Sequence, residues 1–160
     1  MVNNITISTE KIWEILGTVT DPEVPVLTIL DLGIVRDVVV TNDAVEVIIT
    51  PTYTGCPAMD MISMNIRIAL AEHRVNNVKI TSVLSPAWTT DWMSEAGKQK
   101  LKTYGIAAPN KNFEIPEDGV ECPLCNSINT RLISEFGSTA CKALYQCNDC
   151  KEPFDYFKCH

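Results

Sequence analysis

Near the start of the chain, apolar residues recur at three- and four-residue spacing, at Ile12, Ile15, Leu16 and Val19. This period predicts an amphipathic helix opened by Ser8 or Thr9 and ended by Asp21-Pro22. The period then changes. After the loop DPEVPVLTILDLG, punctuated by Pro22, Pro25 and Gly33, the β-branched runs IVRDVVVT and AVEVIIT flank Asn42-Asp43 and predict a β-hairpin. Pro51 closes its second strand. A second helix is expected from Pro57, whose missing amide hydrogen costs nothing in a first turn, to about Arg74. Its apolar residues form two rows, Ala58, Ile62, Ile66 and Leu70 in one, Met61, Met64, Ile68 and Ala71 in the other. Such breadth predicts one wide core face, or cover on two sides by the sheet and by a second domain, another subunit or the preceding loop. A third strand, VKITSVL, follows Asn76-Asn77. A last helix, opened by Asp91 or Ser94, should run through Tyr104 and stop at Gly105. The order α-β-β-α-β-α predicts an α+β fold, a small mixed sheet with helices packed on it.

From Gly105 to Glu121 the sequence GIAAPNKNFEIPEDGVE has no clear period and carries two prolines and two glycines, which predicts a linker or extended connection. The expected division is an α/β domain over 1–108, a linker over 109–121 and a small cysteine-rich domain over 122–160. A length of 160 residues suits one ordinary domain plus such an appendage. With 46% apolar and 21% charged residues the chain is globular in composition, and wholesale disorder is excluded. The formal net charge is −7, and no basic run offsets it, so nucleic acid and anionic membranes are not expected partners. No apolar run approaches the roughly 18 residues of a membrane span, and residues 1–10 do not read as an export signal, so a cytoplasmic protein is expected.

Seven cysteines without an export signal point to metal ligands or reactive thiols rather than a disulfide framework. Cys122-Pro-Leu-Cys125 and Cys147-Asn-Asp-Cys150 are two C-x2-C knuckles separated by 21 residues, slightly more than is usual for a zinc ribbon. A two-residue spacer lets both thiolates of a knuckle reach one ion, and two knuckles supply a closed tetrahedral shell of four sulfurs. So short a segment also buries too little apolar surface to fold alone, and metal binding supplies what is missing. Zinc is the expected structural ion, and a rubredoxin-like iron site is the alternative. Cys141 reads as a small buried residue or a substitute ligand. Cys159 and His160 read as a terminus rather than ligands.

Cys56 stands apart, between Gly55 and Pro57 at the expected N-cap of the second helix, where the helix dipole favours a thiolate and Asp60 opposes it. Position alone leaves two roles open, a reactive or metal-binding thiol and a buried structural cysteine. Asp21 and Glu23 in the DPEVP loop, Asp31, Thr52, Thr54 and Asp91 are weaker candidates, each also explained by a turn or a cap. His73, in the last turn of its helix, suits a cap better than catalysis. No nucleophile elbow, P-loop, dinucleotide glycine motif or zinc-protease helix is present.

The runs DPEVPVLTILDLGIVRDV, TPTYTGCPAMD and LSPAWTTDW resemble the SufT-like iron–sulfur-assembly family. Joined to CPLCNS, FGSTACKALYQC and CKEPFDYF, the whole chain resembles the small accessory subunits encoded with phenylacetyl-CoA epoxidase systems of phenylacetate catabolism. The resemblance implies an assembly-type α/β domain with a functional cysteine, matched by Cys56, an acidic loop matched by Asp21 and Glu23, and a zinc-ribbon tail. It also implies a non-catalytic role beside the oxygenase or reductase subunits, maturing one of their iron or iron–sulfur centres. One cysteine cannot close a cluster site, so Cys56 would hold iron transiently, with the other ligands from Asp21, Glu23, a partner chain or a dimer mate. Two rival readings are a thiol-dependent redox enzyme using Cys56 and a docking scaffold in which Cys56 is inert.

Overall fold

The computed structural model describes residues 7–109 and 119–158. Backbone contacts divide it into two units, Met1–Trp88 and Thr89–His160, each with its own sheet.

In the first unit, Ser8 caps α1 (Thr9–Leu16) by accepting the Lys11 amide at 3.2 Å. The helix ends at Gly17, earlier than the expected Asp21, because the Thr18 and Val19 amides close tightly onto the Ile15 and Leu16 carbonyls. Val19 stays buried beyond the helix end. The hairpin forms as expected: β1 (Val35–Val40) runs antiparallel to β2 (Val45–Ile49), with Val38 opposite Val47. β3 (Val78–Ser82) lies parallel to β2, with Val47 opposite Ile80. Parallel neighbours need a crossover, and α2 (Ala58–Glu72) supplies it. The result is a mixed sheet in the order β1-β2-β3.

The first apolar row of α2, Ala58, Ile62, Ile66 and Leu70, is buried with Ile12, Ile15 and Leu16 of α1 and Val45, Val47 and Ile49 of β2. The second row is not covered. Met61, Met64 and Ile68 are 52%, 57% and 50% exposed in this chain, so the expectation of one wide core face is corrected to one buried stripe. The acidic loop is held from within. Leu27, Ile29 and Leu32 face the core, while Thr28 and Asp31 bond reciprocally, side chain to amide, at 3.1 and 3.0 Å. After β3, the Trp88 indole donates to the Leu32 carbonyl at 2.7 Å and pins the chain to this loop.

The second unit starts earlier than expected. Ser94 caps α3 (Glu95–Thr103) through the Gly97 amide, and Gly105, at a φ of +86°, turns the chain out of it. The next residues, expected to open the linker, form β4 (Ile106–Ala107), which pairs in parallel with β7 (Pro153–Phe157). That pairing groups α3 and β4 with the cysteine-rich half rather than with the α/β domain. Most of the expected linker, residues 110–118, lies outside the described residues. β5 (Thr130–Ser134) and β6 (Lys142–Cys147) complete a sheet in the order β4-β7-β6-β5. Its small core holds Ala107, Val120, Cys122, Ala143, Tyr145, Cys147, Phe154 and Tyr156, with Tyr145 stacked on Phe154 at 5.9 Å and edge-on to Tyr156 at 5.7 Å. Among the described residues no helix is long and apolar enough to cross a membrane.

Candidate metal and thiol sites

The two knuckles come together. The sulfurs of Cys122, Cys125, Cys147 and Cys150 all lie within 4.8 Å of one another, with Cys122 to Cys150 at 3.8 Å and Cys125 to Cys147 at 3.6 Å. Four sulfurs held at about 2.3 Å from one ion sit about 3.8 Å apart in a tetrahedron, so the donor set fits a single soft metal. The local fold creates this spacing. The Asn126 amide bonds the Cys122 carbonyl at 2.9 Å, and Asn126 takes a φ of +62°, closing the first knuckle into a tight turn. In the second knuckle Lys151 takes the same left-handed conformation, and Cys147 bonds back to the Glu152 carbonyl at 3.0 Å.

Backbone amides point at the sulfurs. The Ser127 amide bonds the Cys125 thiol, the amides of Cys150 and Asp149 bond Cys147, and the Glu152 amide bonds Cys150. For Cys147, the Cys150 amide leads, joined by the Asp149 amide and neighbouring thiols, and together they outweigh burial and bring the thiol down to about 7. For Cys150, the Glu152 amide is outweighed by burial and the crowd of neighbouring thiols, which push it up to about 12. At Cys125 the Ser127 amide is likewise overcome by burial and neighbouring thiols, and the thiol is raised. Cys125 and Cys150 thus keep their protons until a metal displaces them. Cys141 is buried elsewhere in the unit, its sulfur 3.0 Å from the Thr139 hydroxyl, and it is not one of the four clustered sulfurs. Cys159 and His160 lie outside the described residues.

Cys56 stands one residue ahead of Pro57, the N-cap of α2, rather than at the cap itself. Gly55, at a φ of +78°, makes a left-handed turn just ahead of the cysteine. The thiol is half-buried, and burial is the main cause of its raised pKa; the Ala58 amide and the Tyr53 hydroxyl oppose the shift, while the charges of Glu23 and Asp21 add to it. The acidic loop and the cysteine, 33 residues apart in sequence at their nearest (Glu23 and Cys56), therefore act on each other in space. Asp21 is buried, and its Oδ1 accepts the amides of Glu23 and Val24, each at 2.8 Å, which fixes the loop. Tyr53 escaped the sequence reading; an aromatic three residues before the cysteine in TPTYTGC was the available signal. The weaker candidates resolve into structure. Asp31 is tied to Thr28, His73 bonds the Ala69 carbonyl at 2.9 Å in the helix end, and Thr89 and Ser94 are the caps around Asp91.

Comparison with known proteins agrees with this division. Residues 9–82 match the family described as iron-sulfur cluster assembly protein, and residues 107–158 match the PaaD zinc beta ribbon domain. A protein of Escherichia coli (strain K12), provisionally named as one of the subunits of 1,2-phenylacetyl-CoA epoxidase, is 49% identical over 152 residues, which cover 93% of this chain and 92% of that protein. A protein of Porphyromonas gingivalis (strain ATCC BAA-308 / W83) named Fe-S protein maturation auxiliary factor is 39% identical over 62% of this chain and 97% of its own length. Among solved structures, a domain of unknown function, DUF59, from Bacillus anthracis superposes with a TM-score of 0.54 at 30% identity, covering 57% of this chain and 89% of that one. The chain belongs to the PaaD family, in which an iron–sulfur-assembly domain precedes a zinc β-ribbon.

Proposed function

We propose that this protein is a non-catalytic accessory subunit of a phenylacetyl-CoA epoxidase system that carries iron, or an iron–sulfur fragment, to the oxygenase or reductase on Cys56. One observation carries the reading: a half-buried thiol shares its surroundings with the carboxylates of Asp21 and Glu23. These groups disfavour a free thiolate, which suits a nucleophile or redox thiol poorly at neutral pH. They favour a cation. When a ferrous ion arrives, the Cys56 proton leaves to solvent, and the carboxylates that opposed the bare thiolate now neutralise the metal. A half-buried single sulfur gives an open site, and an open site can pass its cargo on. The E. coli and P. gingivalis relatives, named for the epoxidase and for Fe–S maturation, support both halves of this reading.

For the ribbon the ion we propose is zinc, held by Cys122, Cys125, Cys147 and Cys150 in a closed structural site, where it joins two knuckles that the small core cannot hold by itself. The thiol-enzyme reading finds little support: the 15 residues of α2, about 22 Å of helix, lie between Cys56 and His73. The docking-scaffold reading has one observation of its own, the exposed row Met61, Met64 and Ile68 on the helix that Cys56 introduces. Replacing Cys56→Ser in cells that depend on the epoxidase separates these readings. The carrier reading expects the variant to accumulate at normal levels while the oxygenase or reductase loses iron. Full iron content and ring-epoxidising activity in that strain would refute it.

A further inference from the structure

The two knuckles are joined outside the metal shell by a polar network. The Ser127 hydroxyl donates to Asp149 Oδ2, and the Asn129 side-chain amide donates to Asp149 Oδ1 at 2.9 Å. Asn148 donates to the Asn129 side-chain carbonyl at 3.0 Å, and its backbone amide bonds the Asn129 carbonyl at 2.8 Å. The Asn129 amide returns to the Ser127 hydroxyl at 3.0 Å. Every one of these bonds either braces the loop after the first knuckle or ties it to residues inside the second. Ser127 and Asp149 have a further property: their own backbone amides bond the sulfurs of Cys125 and Cys147, one ligand candidate in each knuckle.

We infer that the Ser127–Asp149 contact is an outer-sphere latch for the ribbon's metal centre, with Asp149 as the positioning residue. It rests on the reading that the four cysteines hold a metal. The latch acts in two ways. It keeps the two amide-to-sulfur bonds aimed at Cys125 and Cys147, which draws charge from those sulfurs, and it holds the two knuckles together at the side where one must swing away for the ion to leave. Outer-shell partners of metal ligands are typically worth about 10–100-fold in metal affinity. The contact is solvent-exposed on the Asp149 side, which places the expected effect at the lower end of that range, about tenfold.

The test uses the full-length chain loaded with cobalt(II) and challenged with excess chelator. Asp149→Ala should release the metal about tenfold faster. Ser127→Ala, which removes a single oxygen, should act in the same direction, and the double variant should release metal more slowly than the product of the two single effects predicts, because the two residues share the Ser127–Asp149 contact. Ser127→Thr keeps the hydroxyl and should restore the slow rate. All variants should keep the visible bands of a four-sulfur tetrahedral cobalt site, while Asp149→Ala shifts the sulfur-to-cobalt charge-transfer band to lower energy, a change that a merely structural role would not produce. Additive effects of the two alanine variants, an unmoved charge-transfer band or equal release rates would overturn the latch while leaving the metal reading intact. No cobalt uptake by the unaltered chain would overturn both.

Discussion

The ribbon's metal affinity should depend steeply on pH, and the structure sets the slope. Cys150, pushed up to about 12, and Cys125, raised above the ordinary thiol value, carry their protons throughout the range from pH 6 to 8. A metal that binds both as thiolates displaces at least two protons, so each unit of falling pH weakens apparent binding by about 100-fold. Cys147, at about 7, titrates inside the window. Above that value it is largely ionised and adds little; below it, its own displaced proton steepens the loss by about a further tenfold per unit. The direction follows from linkage, since protons and metal compete for the same sulfurs and acid favours the metal-free form. Competition titrations of zinc against an indicator of known affinity at pH 6, 7 and 8, on the full-length chain, read the slope directly. A change well below about 100-fold per pH unit would show that fewer than two protons leave on binding, and the four-thiolate centre would be refuted.

Other consequences are open to simple measurements. Glu23→Gln removes one of the charges that raise the Cys56 pKa, so alkylation of Cys56 at neutral pH should speed up; Tyr53→Phe removes a hydroxyl that lowers it, so alkylation should slow. Ile66→Ala empties a fully buried position on α2 and should cost about 2–5 kcal/mol in denaturant unfolding of the first unit. In the ribbon, Lys142 is 7% exposed with Asp155 4.0 Å away, so Asp155→Ala, which strands a buried ammonium, should destabilise more than Lys142→Met, as thermal melts of the metal-loaded chain would show.

How much of this was legible in the sequence depends on the range of the interactions involved. The hairpin, the crossover helix and the caps at Ser8 and Ser94 follow from local rules, and they appear where the pattern places them. The four clustered sulfurs follow from the spacing within each knuckle, which is also local. What failed was nonlocal. A run of two residues, Ile106 and Ala107, has no period to read, and only its partner β7, nearly 50 residues later, makes it a strand. The second apolar row of α2 carries the same residue types as the first, and hydrophobicity alone does not say which row meets the sheet. The pairing of Cys56 with Asp21 and Glu23 came from family resemblance; its physical basis, the opposing pulls of Tyr53 and the two carboxylates on one thiol, exists only in the folded chain.

The central claim is that Cys56 accepts iron at a site separate from the ribbon. Anaerobic titration of the zinc-loaded, full-length chain with ferrous ion, followed by absorption and by Mössbauer spectroscopy of enriched iron, tests it most directly. The account predicts an iron–sulfur charge-transfer band and a high-spin ferrous signal that vanish in Cys56→Ser, with zinc retained in both proteins. Iron binding that survives Cys56→Ser, or that appears only as zinc is displaced from the ribbon, would contradict it.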